Sequence, residues 1–173
     1  MEILSQMIYN RVNYLKVMKK AISITLVIIW MIIVFLFSSQ IGDDSQVTSG
    51  NTIRKIITFL NNDIDRVRLE EIVEFLQPFT RKLAHFTLYT LGGIVIFNMF
   101  NCFTLQKNKR IIYSFLTGAL YASTDEIHQL FVPGRSGMVT DVLIDSLGII
   151  TGILIYIIVI KLINVILKNR VKA

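Results

Sequence analysis

At 173 residues the chain is long enough for a single domain. Hydrophobic residues make up 53% of it and charged residues only 17%, which excludes an ordinary soluble protein and indicates an integral membrane protein. The net charge of +6 comes from basic residues that flank apolar runs and do not alternate with stacking aromatic side chains, so we predict no nucleic-acid partner.

Four apolar runs predict four membrane-spanning helices, at about 21–42, 83–106, 111–131 and 142–164. The first run is uncharged over 22 residues. A helix rises about 1.5 Å per residue, so this run covers the roughly 30 Å of a bilayer's hydrocarbon. The third run is uncharged over only 14 residues, 111–124, so a helix crossing there carries Asp125 and Glu126 in its last turns. A buried helix of a soluble protein is the alternative for this run.

Basic residues gather before the first run, between the second and third, and after the fourth. Because short cytoplasmic loops are enriched in Lys and Arg, we predict a multi-pass protein with both termini in the cytoplasm. The segments 41–82 and 132–140 then face outward. The basic residues are Arg11, Lys16, Lys19 and Lys20, then Lys107, Lys109 and Arg110, then Lys161, Lys168, Arg170 and Lys172.

The segment between the first two runs, about 45–78, has helical periodicity with apolar residues on one side. We predict two short amphipathic helices on the outer leaflet, separated at Asn61-Asn62-Asp63 and ended at Pro78. Simple packing over the loop ends of the bundle is an alternative. We therefore expect an all-α membrane domain, a four-helix bundle with two surface helices, that occupies residues 1–173.

Polar side chains gather at one end of the last three runs. Helical spacing places Arg81, His85 and Tyr89 on one face of the second run, and Asp125, His128 and Gln129 on one face of the third. On the fourth run, Asp141, Asp145, Gly148 and Gly152 share a face, and small residues four apart favour close helix packing. Arg135 lies in the turn between the third and fourth runs, so we expect all these groups to meet.

Three interpretations of this cluster stay open. It is a binding pocket, an acid–base site, or an ion-paired plug that closes the bundle. Ligand binding would use Arg81, Lys82, Tyr89, Gln129 and Arg135. Acid–base chemistry would use Asp125 or Glu126 as acid or base, His85 or His128 as proton relay, and Asp141 or Asp145 to orient a histidine. Metal ligation by His85, His128 and some of the carboxylates is a further alternative. No spacing matches a zinc signature such as H-E-x-x-H, however, so we predict neither a metal nor another cofactor.

The same residues form ordered blocks that resemble the VanZ-like family. The blocks are Arg81-Lys82-x-Ala84-His85-Phe86-x-x-Tyr89, Asp125-Glu126-x-His128-Gln129-x-Phe131-x-Pro133-Gly134-Arg135, and Asp141-Val142-x-x-Asp145-x-x-Gly148-x-x-x-Gly152. The resemblance spans roughly residues 38–152. It implies a small bacterial plasma-membrane protein whose namesake lowers susceptibility to teicoplanin, a glycopeptide with a fatty acyl tail.

This resemblance assigns no reaction and no catalytic residue. The function that we expect is therefore that of an envelope protein whose outward pocket engages a membrane lipid, a lipid-linked wall precursor or a lipoglycopeptide. Its arginines suit a phosphate group, because guanidinium forks bind phosphate well. An enzyme acting on a lipid-linked envelope substrate is the second hypothesis, and a small transporter or scaffold is the third. The sequence favours no particular oligomeric state.

Overall fold

The computed structural model describes residues 2–172 and places them in five helices, with no strand in this part of the chain. The predicted all-α class is therefore confirmed. The helices are α1 Glu2–Ser38, α2 Gly42–Leu60, α3 Arg66–Asn101, α4 Lys107–Gln129 and α5 Val139–Lys172.

Three of these helices are long and apolar enough to cross a membrane, over Ile3–Ser38, Arg66–Asn101 and Val139–Arg170. They correspond to the first, second and fourth predicted spans, but each helix extends well beyond its apolar run. The 23-residue α4 is about 35 Å long and so has sufficient length. Its charged ends lower its mean hydropathy, and it is not among the three.

The segment between the first two spans differs from the prediction. A first helix, α2, does end before Asn61, as expected, but the second amphipathic stretch is the beginning of the continuous 36-residue α3. Pro78 lies inside that helix and does not end it. A proline removes the hydrogen bond to the carbonyl four residues earlier, here that of Glu74. Both residues are exposed, so water can bond that carbonyl and the helix continues.

α2 and the first turns of α3 form a helical hairpin. The Asp65 side chain caps α3 by accepting hydrogen bonds from the backbone N–H groups of Val67 and Arg68. Arg54 joins the two helices through a bidentate pair with Glu70, at 2.7 and 2.6 Å. Nearer the bundle, the Gln77 side chain donates to the backbone carbonyl of Gln46. These contacts hold α2 against the first turns of α3.

The core of the bundle is the close packing of α3 against α5. A Cβ on Gly148 would lie 2.6 Å from the backbone oxygen of Phe86 and 3.1 Å from the Tyr89 Cβ. A Cβ on Gly152 would overlap the backbone oxygen of Thr90. The predicted close approach at both glycines is therefore confirmed, and it sets the spacing of the site side chains.

The end of α1 is tied to the turn between α4 and α5. The Gly42 N–H donates to the Pro133 carbonyl at 3.0 Å. The Arg135 guanidinium donates to the carbonyls of Phe37 and Gln40, at 3.3 and 3.2 Å. We call this junction, residues 37–42 and 130–141 together with the adjoining turns of α3, the polar end of the bundle.

Candidate functional site

Four ionisable side chains from three helices meet just inside the polar end. One ligand-type atom each from His85 of α3, Asp125 and Glu126 of α4, and Asp145 of α5 lie within 4.8 Å of one another. Asp125 and Glu126 are each 4% exposed and Asp145 is fully buried. We call these residues the four-residue cluster. The structure thus brings together members of all three blocks, as expected, while their roles stay predictions.

Glu126 is the most firmly held member of the cluster. Its Oε1 accepts a hydrogen bond from the Gln129 side chain at 3.2 Å, and its Oε2 accepts from the Met138 backbone N–H at 2.9 Å. Gly137 lets this turn approach, since a Cβ there would meet the backbone oxygen of Glu126. Glu126 therefore joins the end of α4 to the segment that starts α5. The role of the Met138 backbone was not evident from the sequence, because a main-chain donor has no residue signature.

The other acidic residues differ in how they are paired. The Oδ1 of Asp141 lies 3.4 Å from the Lys82 ammonium, in an ion pair that is partly exposed. The Oδ2 of Asp145 lies 3.6 Å from His85 Nδ1, which is too long for a hydrogen bond. Lys82 is thus paired near the surface. Among the described residues, the ion pairs include no lysine or arginine partner for the deeper carboxylates of Asp125, Glu126 and Asp145.

Two arginines stand at the mouth of the site. Arg135 is partly used by the end of α1. Among the side chains that the structure describes, which do not include that of residue 43, the hydrogen bonds and ion pairs give the half-buried Arg81 guanidinium no partner. Burial, and then the positive charge of Arg81, lower the pKa of Arg135 below its usual range. Two guanidinium groups that repel each other form a mouth that an anion would stabilise.

Two predicted site residues lie apart from the mouth. The His128 Nε2 lies 3.1 Å from the Ser39 hydroxyl, and its ring stacks on Phe35 at a centroid distance of 4.8 Å. It therefore faces α1 and is not in the four-residue cluster. Tyr89 is fully buried beneath the cluster, near Asp125 and Asp145, with its ring edge-on to Trp30. Tyr89 therefore lies beneath the site and is too deeply buried to contact a large ligand.

The space between these groups is a polar pocket of about 130 Å³. It has room for about four water molecules, or for one small anionic group. Its walls include most of the predicted binding residues and four residues that were not assigned to the site from the sequence, Pro78, Ser136, Met138 and Ile144. Its polar lining is Arg81, Lys82, His85, Gln129, Arg135, Ser136, Asp141 and Asp145.

Two larger grooves adjoin the polar pocket and share residues with it. The α3–α5 groove, of about 510 Å³, is mostly apolar, with Leu76, Phe79, Leu83 and Phe86 along one side, and it shares Lys82 and Ile144 with the pocket. The α2–α3 groove, of about 500 Å³, runs from the end of α1 along α2 and shares Arg81, His85 and Arg135 with the pocket. The arrangement therefore offers a charged recess beside two surfaces for an apolar chain.

A family model described as VanZ/LLP1 matches residues 23–161 of the chain. This range includes every block on which the sequence resemblance rested and covers well over half of the protein. The chain therefore belongs to the VanZ/LLP1 family, and this membership supports a membrane protein of the VanZ type. No curated protein and no solved structure matches the chain.

Proposed function

We propose that this chain is a bacterial plasma-membrane protein that binds an anionic amphiphile of the cell envelope in the polar pocket. The ligand would place its phosphate or carboxylate between Arg81 and Arg135 and its hydrocarbon chain in an adjoining groove. The observation that carries the proposal is the Arg81 guanidinium, which lines both the pocket and the α2–α3 groove and has no carboxylate partner among the ion pairs of the described side chains. A half-buried guanidinium is costly unless it is paired, so a bound anion accounts for it.

The same binding supplies a route to the protection that the family's namesake provides. Teicoplanin carries an acyl tail, and an envelope protein that handles a lipid, a lipid-linked wall precursor or the drug itself would alter how such a drug acts. We therefore propose that the chain lowers susceptibility to teicoplanin-type lipoglycopeptides. Vancomycin lacks the tail, so it should be affected much less.

We further propose that α4 is a fourth span and that both termini are cytoplasmic. The support is the distribution of charge, because the turn 102–106 and the basic start of α4 lie at the end of the bundle opposite the polar pocket. Lys20 stacks on Phe103 there, with its ammonium 4.0 Å from the ring centroid, and Arg110 donates to Asn101. Cytoplasmic enrichment of basic residues then directs the polar pocket outward.

The test is teicoplanin susceptibility of a Gram-positive host that expresses the wild type or Arg81→Gln. Arg68→Gln is the matched control, because Arg68 lies on the same helix, is exposed and does not line the pocket. Membrane abundance is equalised by immunoblot, and vancomycin is tested in parallel. We expect the wild type and Arg68→Gln to protect against teicoplanin and Arg81→Gln to protect at least several-fold less. Equal protection by all three proteins would show that protection does not depend on Arg81 in the pocket. No protection by the wild type would contradict the proposed role in resistance.

A second candidate is an enzyme that acts on a lipid-linked envelope substrate in the same pocket. The observation in its favour is the His85–Asp145 approach, which places an imidazole beside a buried carboxylate at the pocket wall. Envelope lipids extracted from strains that express the wild type or His85→Gln would distinguish the two candidates. A lipid that changes chemically with the wild type and not with His85→Gln favours catalysis, whereas protection with unchanged lipids favours binding.

A further inference from the structure

The four-residue cluster has the composition and the geometry of a metal site. It offers one imidazole and three carboxylates, each contributing one atom to a group no wider than 4.8 Å. Ligand atoms on opposite sides of one ion, each about 2.1 Å from it, lie about 4.2 Å apart. Small side-chain rotations would therefore bring all four atoms to bonding distance.

The second observation is a set of buried polar atoms aimed into the cluster. Within residues 2–172, no hydrogen-bond partner is present for either carboxylate oxygen of Asp145, for the Oδ2 of Asp125 or for the Nδ1 of His85. Asp145 is fully buried and Asp125 is 4% exposed. Buried polar atoms are nearly always satisfied, and a buried carboxylate without a partner is especially unfavourable. One ligand-type atom from each of these residues and from Glu126 lie within 4.8 Å of one another, so one cation would satisfy several of them together. The Tyr89 hydroxyl, near Asp125, is likewise without a partner among the described residues.

The basic side chains of the site do not supply that cation. Lys82 lies against Asp141 at the pocket wall, and Arg135 donates to the carbonyls at the end of α1. Within the described chain, the ion pairs include no arginine or lysine partner for Asp125, Glu126 or Asp145. The cluster thus gathers up to three carboxylates in a buried space. Beside them is His85, and Arg135 is close enough to interact with Asp125 and Glu126 through its charge, but it forms no ion pair with them.

We propose that His85, Asp125, Glu126 and Asp145 bind one divalent first-row transition-metal ion. An imidazole ligand suits Zn²⁺ and Fe²⁺, and the three carboxylates also suit Mn²⁺, whereas Mg²⁺ and Ca²⁺ prefer oxygen ligands throughout. The hydrogen bonds from Gln129 and Met138 to Glu126 resemble the outer contacts that orient carboxylate ligands in metal sites. No metal-binding motif marks these four residues in the sequence, because they come from three separate helices.

The position of the ion would connect it to the polar pocket. His85 and Asp145 line that pocket, so the ion would lie at its floor, where an anionic oxygen of a bound ligand could complete the coordination. Metal binding itself is independent of any such ligand. The two proposals can therefore fail separately.

The test uses the full chain purified in detergent, stripped with a chelator, incubated with Zn²⁺ or Co²⁺ and dialysed. Metal content is measured by plasma mass spectrometry and Co²⁺ coordination by absorption spectroscopy. We expect the wild type to retain about one equivalent per chain, in the manner of a preformed site. Asp145→Asn and His85→Gln should bind at least about 10-fold more weakly, a loss no smaller than that seen when outer-shell partners are removed.

Two matched variants make the result specific. Glu71→Gln removes an exposed carboxylate of α3 that does not line the pocket, and His128→Gln removes the other histidine, yet neither residue belongs to the cluster. Both should bind metal as the wild type does. If a cluster variant does not fold, the wild-type Co²⁺ spectrum still decides, because mixed nitrogen and oxygen ligation is required. Retention of metal by Asp145→Asn at the wild-type level, or no retention by the wild type, would overturn the proposal.

Discussion

Substitution of Gly148 by alanine tests whether contact between the α3 and α5 backbones sets the site. The added Cβ would lie 2.6 Å from the Phe86 oxygen and 3.2 Å from the Thr90 nitrogen, and both are backbone atoms of α3 that no rotamer change can move. Overpacking of this kind costs about 1–3 kcal/mol. Replacing a mid-helix glycine by alanine returns about 0.5–1 kcal/mol of helix propensity. A net loss of about 1–2 kcal/mol is therefore expected.

For a chain of this size each kcal/mol changes the unfolding temperature by about 2–4 °C, so Gly148→Ala should unfold roughly 2–8 °C below the wild type. Gly50→Ala is the matched control, because the nearest atoms to its Cβ would be side-chain atoms, an Arg54 guanidinium nitrogen at 3.2 Å and a Val73 methyl group at 3.5 Å, and no backbone atom is among them. That variant should be unchanged or slightly more stable. Thermal unfolding in detergent at a fixed scan rate measures both. A Gly148→Ala protein as stable as Gly50→Ala would refute the close α3–α5 contact.

Three further outcomes are expected. Trp30→Phe removes the 2.8 Å hydrogen bond from the indole to the Leu88 carbonyl and should lower the unfolding temperature by an amount equivalent to about 0.5–1.5 kcal/mol in the same assay. Arg54 lowers the pKa of Glu70, so their pair stabilises the fold at neutral pH and ceases to do so as the pH falls through that lowered pKa. Any difference between the wild type and Glu70→Gln should therefore be small at pH 7, weaken with added salt and vanish in acid; a difference that persists in acid would contradict the assignment. In a Cys102→Ser background, an impermeant maleimide should label Ser136→Cys on intact cells and Asn108→Cys only after permeabilisation, whereas labelling of both on intact cells would rule out a span at α4.

The helices and the meeting of the polar blocks could be predicted because both follow from local spacing. Apolar runs located the three helices that are long and apolar enough to cross a membrane, and glycines at 148 and 152 indicated which face of α5 packs closely. The continuation of α3 through Pro78 could not be predicted, because it depends on whether the freed carbonyl of Glu74 is exposed or buried.

Contacts between helices were harder to foresee than the helices themselves. His128 shares a helical face with Asp125, but α1 passes on that side and pairs the imidazole with Ser39. The convergence of His85 with Asp145 depends on the register of α3 against α5, and no interval within either helix records that register. The residues at the site could therefore be identified from the sequence. Which of them contact one another depends on how the helices pack, and this could not be predicted.

The arrangement of charge also bears on whether the cluster is only a plug. A plug would pair each buried acid with a base, yet both carboxylate oxygens of Asp145 lack a hydrogen-bond partner within residues 2–172. Removing that charge should therefore stabilise the metal-free protein. In the presence of a chelator, we expect Asp145→Asn to unfold at a higher temperature than the wild type, because a neutral carboxamide costs less to bury than a carboxylate.

The matched variant is Asp141→Asn, whose carboxylate lies against Lys82 at the partly exposed wall, and its unfolding temperature should change little. Greater stability combined with lost protection against teicoplanin would mark Asp145 as a residue kept for function at the expense of stability. If Asp145→Asn is instead strongly destabilised without metal, the carboxylate holds the helices together, and the plug becomes the better account of the site.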